Sequence, residues 1–208
     1  MALMLSYLGG SFFKPRRTFE RLLTEPKKLA KGFRVMILIG ILYAMTVTAL
    51  AVAGALLPAP AIVPLAAPNY YFYEIFFAGP VFLTAWLLAS ILAHFASLVL
   101  GGRGPFKATA AALAFAFAVP SLWMWIPQTA FAVFLLAGMS QEEFMSYTAA
   151  AGPWLTGAWI YQGAALVLLI AGATKAVGAS RKLKIIPAVL TGLFAAGIFA
   201  VIVGIFIR

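Results

Sequence analysis

Apolar residues fall along this chain in long, unbroken stretches rather than in the alternating or one-faced patterns of soluble strands and helices. A helix needs about 20 apolar residues to cross about 30 Å of hydrocarbon. Five stretches reach that length: 35–57, 75–100, 108–137, 154–174 and 185–207. The first holds no charge, and the second has His94 as its only ionisable residue. The pattern predicts an all-α, polytopic membrane bundle of five transmembrane helices. A signal peptide is the other reading of the first stretch, because Ala51, Ala53 and Ala55 give it small residues towards its end. Its basic leader and its apolar run are both too long for one, so an uncleaved span is expected.

The third stretch would be roughly 45 Å long as a straight helix at 1.5 Å per residue. It also contains Pro120 and Pro127. Proline removes a backbone donor and clashes with the carbonyl four residues earlier, so a break is expected there, with an interfacial continuation.

Shorter elements fill the gaps. Residues 15–24 read as an amphipathic helix: Pro15 suits its first turn, Phe19, Leu22 and Leu23 share a face, and Pro26 ends it. Arg16, Arg17 and Arg21 flank that face, the pattern of a helix lying flat on an anionic leaflet. Ser140-Gln141-Glu142-Glu143 is a capping-box pattern that opens a short helix towards Ala150. Pro58, Pro60, Pro64 and Pro68 mark an irregular loop. Two parts are therefore expected: a basic amphipathic segment over 1–34 and a five-span membrane domain over 35–208.

Charge sets the direction. Of fifteen Lys and Arg, fourteen lie before the first stretch, between the second and third, or between the fourth and fifth. Cytoplasmic loops carry the excess of Lys and Arg, which predicts a cytoplasmic N-terminus and an external C-terminus. The other side has Arg208 with Glu74, Glu142 and Glu143. Tyr70, Tyr71, Phe72, Tyr73 and Trp154 fall there too, as expected of aromatic anchors at a headgroup layer.

Composition then narrows the chemistry. Hydrophobic residues make up 64% of the 208 and charged residues 10%, which places the chain in lipid. There is no cysteine and no aspartate, and there are five glutamates. Disulfides, thiolate zinc sites, thiol catalysis and a Ser-His-Asp triad are excluded by composition. One histidine makes a poor metal site, since zinc takes three or four ligands. The expectation is a protein without cofactor or metal and without enzymatic activity.

Two groups of residues remain as candidates. Gly101, Gly102, Arg103, Gly104 and Lys107 form a glycine turn at a helix start, able to hold a lipid phosphate through backbone N–H groups and two cations. The spacing is not that of a P-loop, and a tight turn obeying the positive-inside rule is the plainer reading. Together with Arg16, Arg17 and Arg21 they would make a cytoplasmic surface for anionic headgroups or a partner protein. Within the spans, His94, Gln128 and Gln162 are the polar candidates for a pathway. Each is more often a packing hydrogen bond between helices. Small residues recur every four positions at Gly192, Ala196, Ala200 and Gly204, at Gly40 and Ala44, and at Ala110, Ala114 and Ala118. Such ridges let helices approach closely in lipid, within one bundle or between copies. Five spans do not divide into two equal inverted halves, which weakens an inverted-repeat transporter.

The order of motifs resembles the Yip family, the Ypt/Rab-interacting membrane proteins, in its short prokaryotic form. A Pro-x-x-Thr-Phe-Glu element (Pro15, Thr18, Phe19, Glu20) precedes Glu25-Pro26 and the first span. Gly101-Gly102-Arg103-Gly104-Pro105-Phe106-Lys107-Ala108-Thr109 then enters a third span that reaches Pro120. Pro105 stands where the family usually has serine. The resemblance implies a five-span, N-inside protein over nearly the whole chain. Eukaryotic members are associated with Rab-type GTPases through longer cytosolic N-termini and an aspartate-containing element. This chain lacks both, which sets Rab binding outside what the resemblance implies, and no catalytic or ligand residue carries over. The expected function is the organisation of membrane lipids or partner proteins in a prokaryotic plasma (inner) membrane, with lipids, a protein partner or a second copy as partners and no nucleic acid. A transporter or lipid-moving protein is the alternative.

Overall fold

The structure is a computed structural model that describes residues 2–56, 69–150 and 152–207, with side chains described for 5–56, 69–146 and 160–207. The described residues form eight helices and no strand: α1 (Ala2–Phe13), α2 (Pro15–Thr24), α3 (Lys28–Val52), α4 (Tyr70–Val99), α5 (Phe106–Leu136), α6 (Gln141–Ala150), α7 (Gly152–Arg181) and α8 (Ile185–Phe206). Five of them, α3, α4, α5, α7 and α8, are long and apolar enough to cross a membrane. The chain has the architecture of a multi-pass integral membrane protein. The proline loop over 58–68 and the side chain of Trp154 lie outside the described residues.

The five spans alternate in direction. At one end, Ser97 near the end of α4 is bonded to Arg181 at the end of α7, and Gly32 of α3 sits beside Ala111 and Ala114 of α5. At the other end, the hydroxyls of Thr46 and Thr129 are 3.0 Å apart, and the Tyr70 hydroxyl donates to the Phe206 carbonyl at 3.0 Å. This alternation gathers the fourteen cations counted above at one end of the bundle.

The central span is α5, which packs against α3 and α7 and also touches α4, α1 and α2. Residues 108–118 are buried without exception, among them Ala110, Ala114 and Ala118. Lipid offers no hydrophobic drive between helices, so close backbone approach through small residues is the main adhesive. A Cβ on Gly40 would stand 2.8 Å from the Gly79 Cα, and one on Gly192 would stand 2.5 Å from the Thr174 Cα. Only glycine lets α3 meet α4, and α8 meet α7, so closely. The ridge on α8 has two halves: Gly192 and Ala196 are buried in the bundle, whereas Ala200 and Gly204 line a cavity.

Several sequence expectations need correction. The third span does not break: α5 runs continuously from Phe106 to Leu136 through both prolines. At Pro127 a neighbouring span explains this. Pro127 leaves the Trp123 carbonyl without its helical donor, and the Tyr161 hydroxyl of α7 donates to it. Pro120 does the same to the Ala116 carbonyl, and there Gly172 of α7 comes so close that a Cβ would lie 3.3 Å from the oxygen. Three of the other spans are longer than their apolar runs. α3 begins at Lys28 and so crosses the expected boundary at 34/35, α4 begins at Tyr70, and α7 ends at Arg181.

The segment ahead of α3 differs most. α1 was not expected as a helix; it is apolar, carries no charge, and is too short to cross. Its Tyr7 and Leu8 are buried, with the Tyr7 ring 5.7 Å from that of Phe115 in α5. α2 has the expected bounds, Pro15 in its first turn, and an extended Glu25 as its C-cap before Pro26. Its apolar face, however, is not turned to a leaflet. Phe19 and Leu22 are fully buried in the protein core, because α1, α5 and α7 supply an apolar surface for them. At the opposite end, α6 opens as expected, with the Glu143 N–H donating to the Ser140 hydroxyl at 3.1 Å.

Candidate functional site

The basic end holds two distinct constructions. The first is the turn between α4 and α5. Gly101 and Gly104 have φ of +80° and +143°, backbone that favours glycine, and a Cβ on Gly102 would lie 2.7 Å from the Ser97 carbonyl oxygen. The turn closes around Arg181, which sequence reasoning placed in a loop. That guanidinium is fully buried at the end of α7. It donates to the Ser97 hydroxyl at 2.7 Å, to the Gly102 carbonyl at 2.9 Å and to the Gly104 carbonyl. The Arg103 N–H returns the bond to the Arg181 carbonyl at 2.7 Å, while those of Gly101 and Gly102 donate to Leu98 and Ser97. Three N–H groups that a phosphate cradle would use are thus spent on protein carbonyls. Arg103 and Lys107 stay exposed on the turn's surface.

The second construction is where α1 hands over to α2. Lys14, Pro15, Arg16 and Arg17 meet Lys175 of α7 around a concavity of about 400 Å³. Arg16 shares an exposed ion pair with Glu20 at 3.1 Å. Arg21 lies elsewhere, with its guanidinium carbon 5.6 Å from the centre of the Tyr7 ring. Glu25 ties α1 to α3: it accepts from the Tyr7 hydroxyl at 2.7 Å and pairs with Lys31 at 2.8 Å. The Lys31 ammonium and the Tyr7 hydroxyl hold the Glu25 carboxyl below the usual carboxylate range. Burial and then that same carboxylate push the Tyr7 phenol up. The expected surface cations therefore divide: Arg16 and Arg17 join Lys14 and Lys175, Arg21 covers Tyr7, and Arg103 and Lys107 sit on the turn.

The polar candidates within the spans are not brought together. His94 lies near the basic end, its Nδ1 3.5 Å from the Thr109 hydroxyl of α5 and its ring edge-on to Phe106. Gln128 is nineteen positions further along α5 than Thr109, and lines a cavity of about 430 Å³ with Tyr43, Ser121, Leu169 and Phe199. Gln162 is exposed and does not line that cavity. The cavity is almost wholly apolar and opens beside the small residues Ala200 and Gly204 of α8.

Two charged residues escaped the sequence reading. Arg181 is one; Glu74 is the other, fully buried on the face of α4 that also carries Tyr70, Tyr71 and Ala78. Glu74 stands immediately before its apolar run and Arg181 seven residues beyond the end of its own, so only the helices' extension past those runs brings the two inside the bundle. A set of aromatic donors also links the spans. Tyr43 donates to the Ser121 carbonyl at 2.9 Å, Trp86 to Ala110 at 2.8 Å, and Trp125 to the Thr46 hydroxyl at 2.9 Å. These bonds join α3, α4 and α5 and satisfy polar groups that lipid cannot. Among the described residues no three His, Cys, Asp or Glu side chains group as metal ligands.

The chain matches no family model, no curated protein and no solved structure.

Proposed function

We propose that this integral membrane protein is non-enzymatic and organises anionic lipids or a partner protein at its cytoplasmic face. The observation that carries the reading is the collection of fourteen cations at one end of the bundle. Near them stand two carboxylates, Glu20 and Glu25, each already paired with a cation. A basic cluster beside a membrane is worth about 1 kcal/mol per Lys or Arg towards an anionic leaflet. The Yip-like character of the chain belongs to this proposal and rests on its motifs at 15–20 and 101–109, both at the basic end.

The test is the lipid shell that the protein carries out of a mixed membrane of phosphatidylglycerol and phosphatidylcholine. Enrichment of the anionic lipid is expected around the wild-type chain and should fall when Arg16, Arg17, Arg103 and Lys107 all become alanine. Unchanged enrichment around a folded variant refutes this surface. The cavity of about 430 Å³ beside Gln128 favours a second reading, movement of an apolar or amphiphilic molecule. It predicts that Gln128→Ala slows flux in proteoliposomes without lowering the melting temperature.

A further inference from the structure

The concavity at the start of α2 does not end at its cations. Pro15 and Lys175 also line a narrow apolar crevice between α1, α5 and α7, with Phe12, Ala116, Val119 and Ala171. Phe12 and Val119 in turn line a further concavity of about 250 Å³ that passes Leu122 and Trp123 to Ile126. Each hollow therefore shares two residues with the next, and the second and third follow one another along α5. From Ala116 to Ile126 the slot runs ten residues, about 15 Å at 1.5 Å per residue. That length equals half the thickness of a hydrocarbon core of about 30 Å.

The head of the slot stands at the matching height. Lys175 lies six positions before Arg181, which closes α7 at the basic end. At 1.5 Å per residue it sits about 9 Å in from that end, where a long ammonium side chain reaches the headgroup layer. Lys14, Arg16 and Arg17 come from the other wall. The α1–α2 corner that presents them is tightly fixed: a Cβ on Gly10 would lie 2.4 Å from the Thr18 hydroxyl oxygen. Four cations above an apolar slot about 15 Å long form the negative image of a single anionic, two-part molecule.

We propose that the α1–α2 corner and α7 form a specific site for one anionic glycerophospholipid of the inner leaflet. The phosphate is held by Lys14, Arg16, Arg17 and Lys175, and one acyl chain lies along α5 between Phe12 and Val119. The site deepens the lipid-organising reading and rests on it. It also gives α1 a duty: this helix is one wall of the acyl slot. The four cations span two separate elements, so a bound lipid would clamp the N-terminal hairpin onto α7.

Native mass spectrometry of the full chain, released from membranes of phosphatidylglycerol and phosphatidylcholine, tests this. Wild type is expected to keep one phosphatidylglycerol at activation energies that strip the rest. Lys14→Ala with Lys175→Ala should lower that occupancy on the order of tenfold or more, from about 1 kcal/mol per cation. Arg103→Ala with Lys107→Ala should leave it in place. Val119→Phe, which keeps all four cations and narrows the slot, should weaken retention of the long-chain lipid. Loss in the Arg103, Lys107 pair alone would overturn this site while leaving the basic-end reading standing. No preference for phosphatidylglycerol in wild type would end both this site and the lipid branch of that reading. Displacement of the lipid by millimolar inorganic phosphate would show a free-anion site and overturn the lipid assignment. Unaltered melting temperatures are required of each variant; if the lysine pair does not fold, Val119→Phe alone decides, and full retention there overturns the proposal.

Discussion

The Tyr161 hydroxyl donates to the Trp123 carbonyl, the one backbone oxygen in α5 that Pro127 deprives of its helical partner. The two rings also stack, 4.7 Å apart and inclined by 19°. Tyr161→Phe should keep the stacking and lose the bond. Hydrogen bonds between membrane helices are worth about 0.6 to 2 kcal/mol, which sets the expected loss of stability. Restoring the amide with Pro127→Ala should make the same Tyr161→Phe change nearly neutral. A double-mutant cycle of unfolding free energies checks this, and additive effects would contradict it.

Arg181 should be irreplaceable at the turn. Its planar guanidinium reaches Ser97, Gly102 and Gly104 at once, which a lysine ammonium does not do in that geometry. Arg181→Met is expected to cost about 3 kcal/mol, because buried carbonyls are left without a donor, and Arg181→Lys should recover little of it. The readout is thermal unfolding together with proteolysis at Arg103, which should become susceptible in both variants. Intact turns in Arg181→Lys would contradict the fork geometry.

The two faces of α8 should answer differently to bulk. Gly192 touches the Thr174 backbone, whereas a Cβ on Gly197 meets nothing within 4 Å. Gly192→Leu should prevent the close approach of α8 and α7 and abolish a cooperative melt. Gly197→Leu should be tolerated within the monomer. If Gly197→Leu instead altered the oligomeric state seen by light scattering, that face would be a contact between copies.

Acid should release α1. The Glu25 carboxyl is lowered by Lys31 and then by Tyr7, so it stabilises the fold above its unfolded pKa. That contribution is lost as pH falls through the lowered, folded value, below the usual carboxylate range. The Tyr7 phenol is raised, so its contribution is lost at the alkaline end, as pH climbs past the usual phenol range. Spin labels at Gly9 and Ile126 should therefore separate at both extremes and hold one distance between them. Glu25→Gln should remove the acid step; an unchanged acid step would assign it to another group.

The apolar runs made the five spans legible, and Pro15, Pro26 and the Ser140 capping box made α2 and α6 legible, because these are local signals. What escaped depends on partners remote in sequence. Pro120 and Pro127 are helix breakers by themselves, and the carbonyl freed by Pro127 finds its donor in Tyr161, 34 positions further along the chain. Phe19 and Leu22 form the same apolar face whether it meets lipid or protein, and α1 is hidden because twelve uncharged, mostly apolar residues fit neither a span nor a loop. At the candidate site, Arg16 and Arg17 were visible as a basic pair. Lys175 was not tied to them, since only the fold brings residue 175 to residue 14.

The bonds that complete α5 have a consequence for how the protein is made. The Trp123 carbonyl waits for Tyr161, 38 residues later, and the turn after α4 waits for Arg181, 84 residues beyond Ser97. At roughly 5–20 residues per second of synthesis, these delays last roughly 2–8 s and 4–17 s. For that time the third span carries an unpaired oxygen that hydrocarbon does not tolerate. It must therefore be sheltered by the insertion machinery, or by water at the interface, until the fourth span arrives. Chains cut short between residues 137 and 160 should for this reason be degraded rather than accumulate as three-span intermediates.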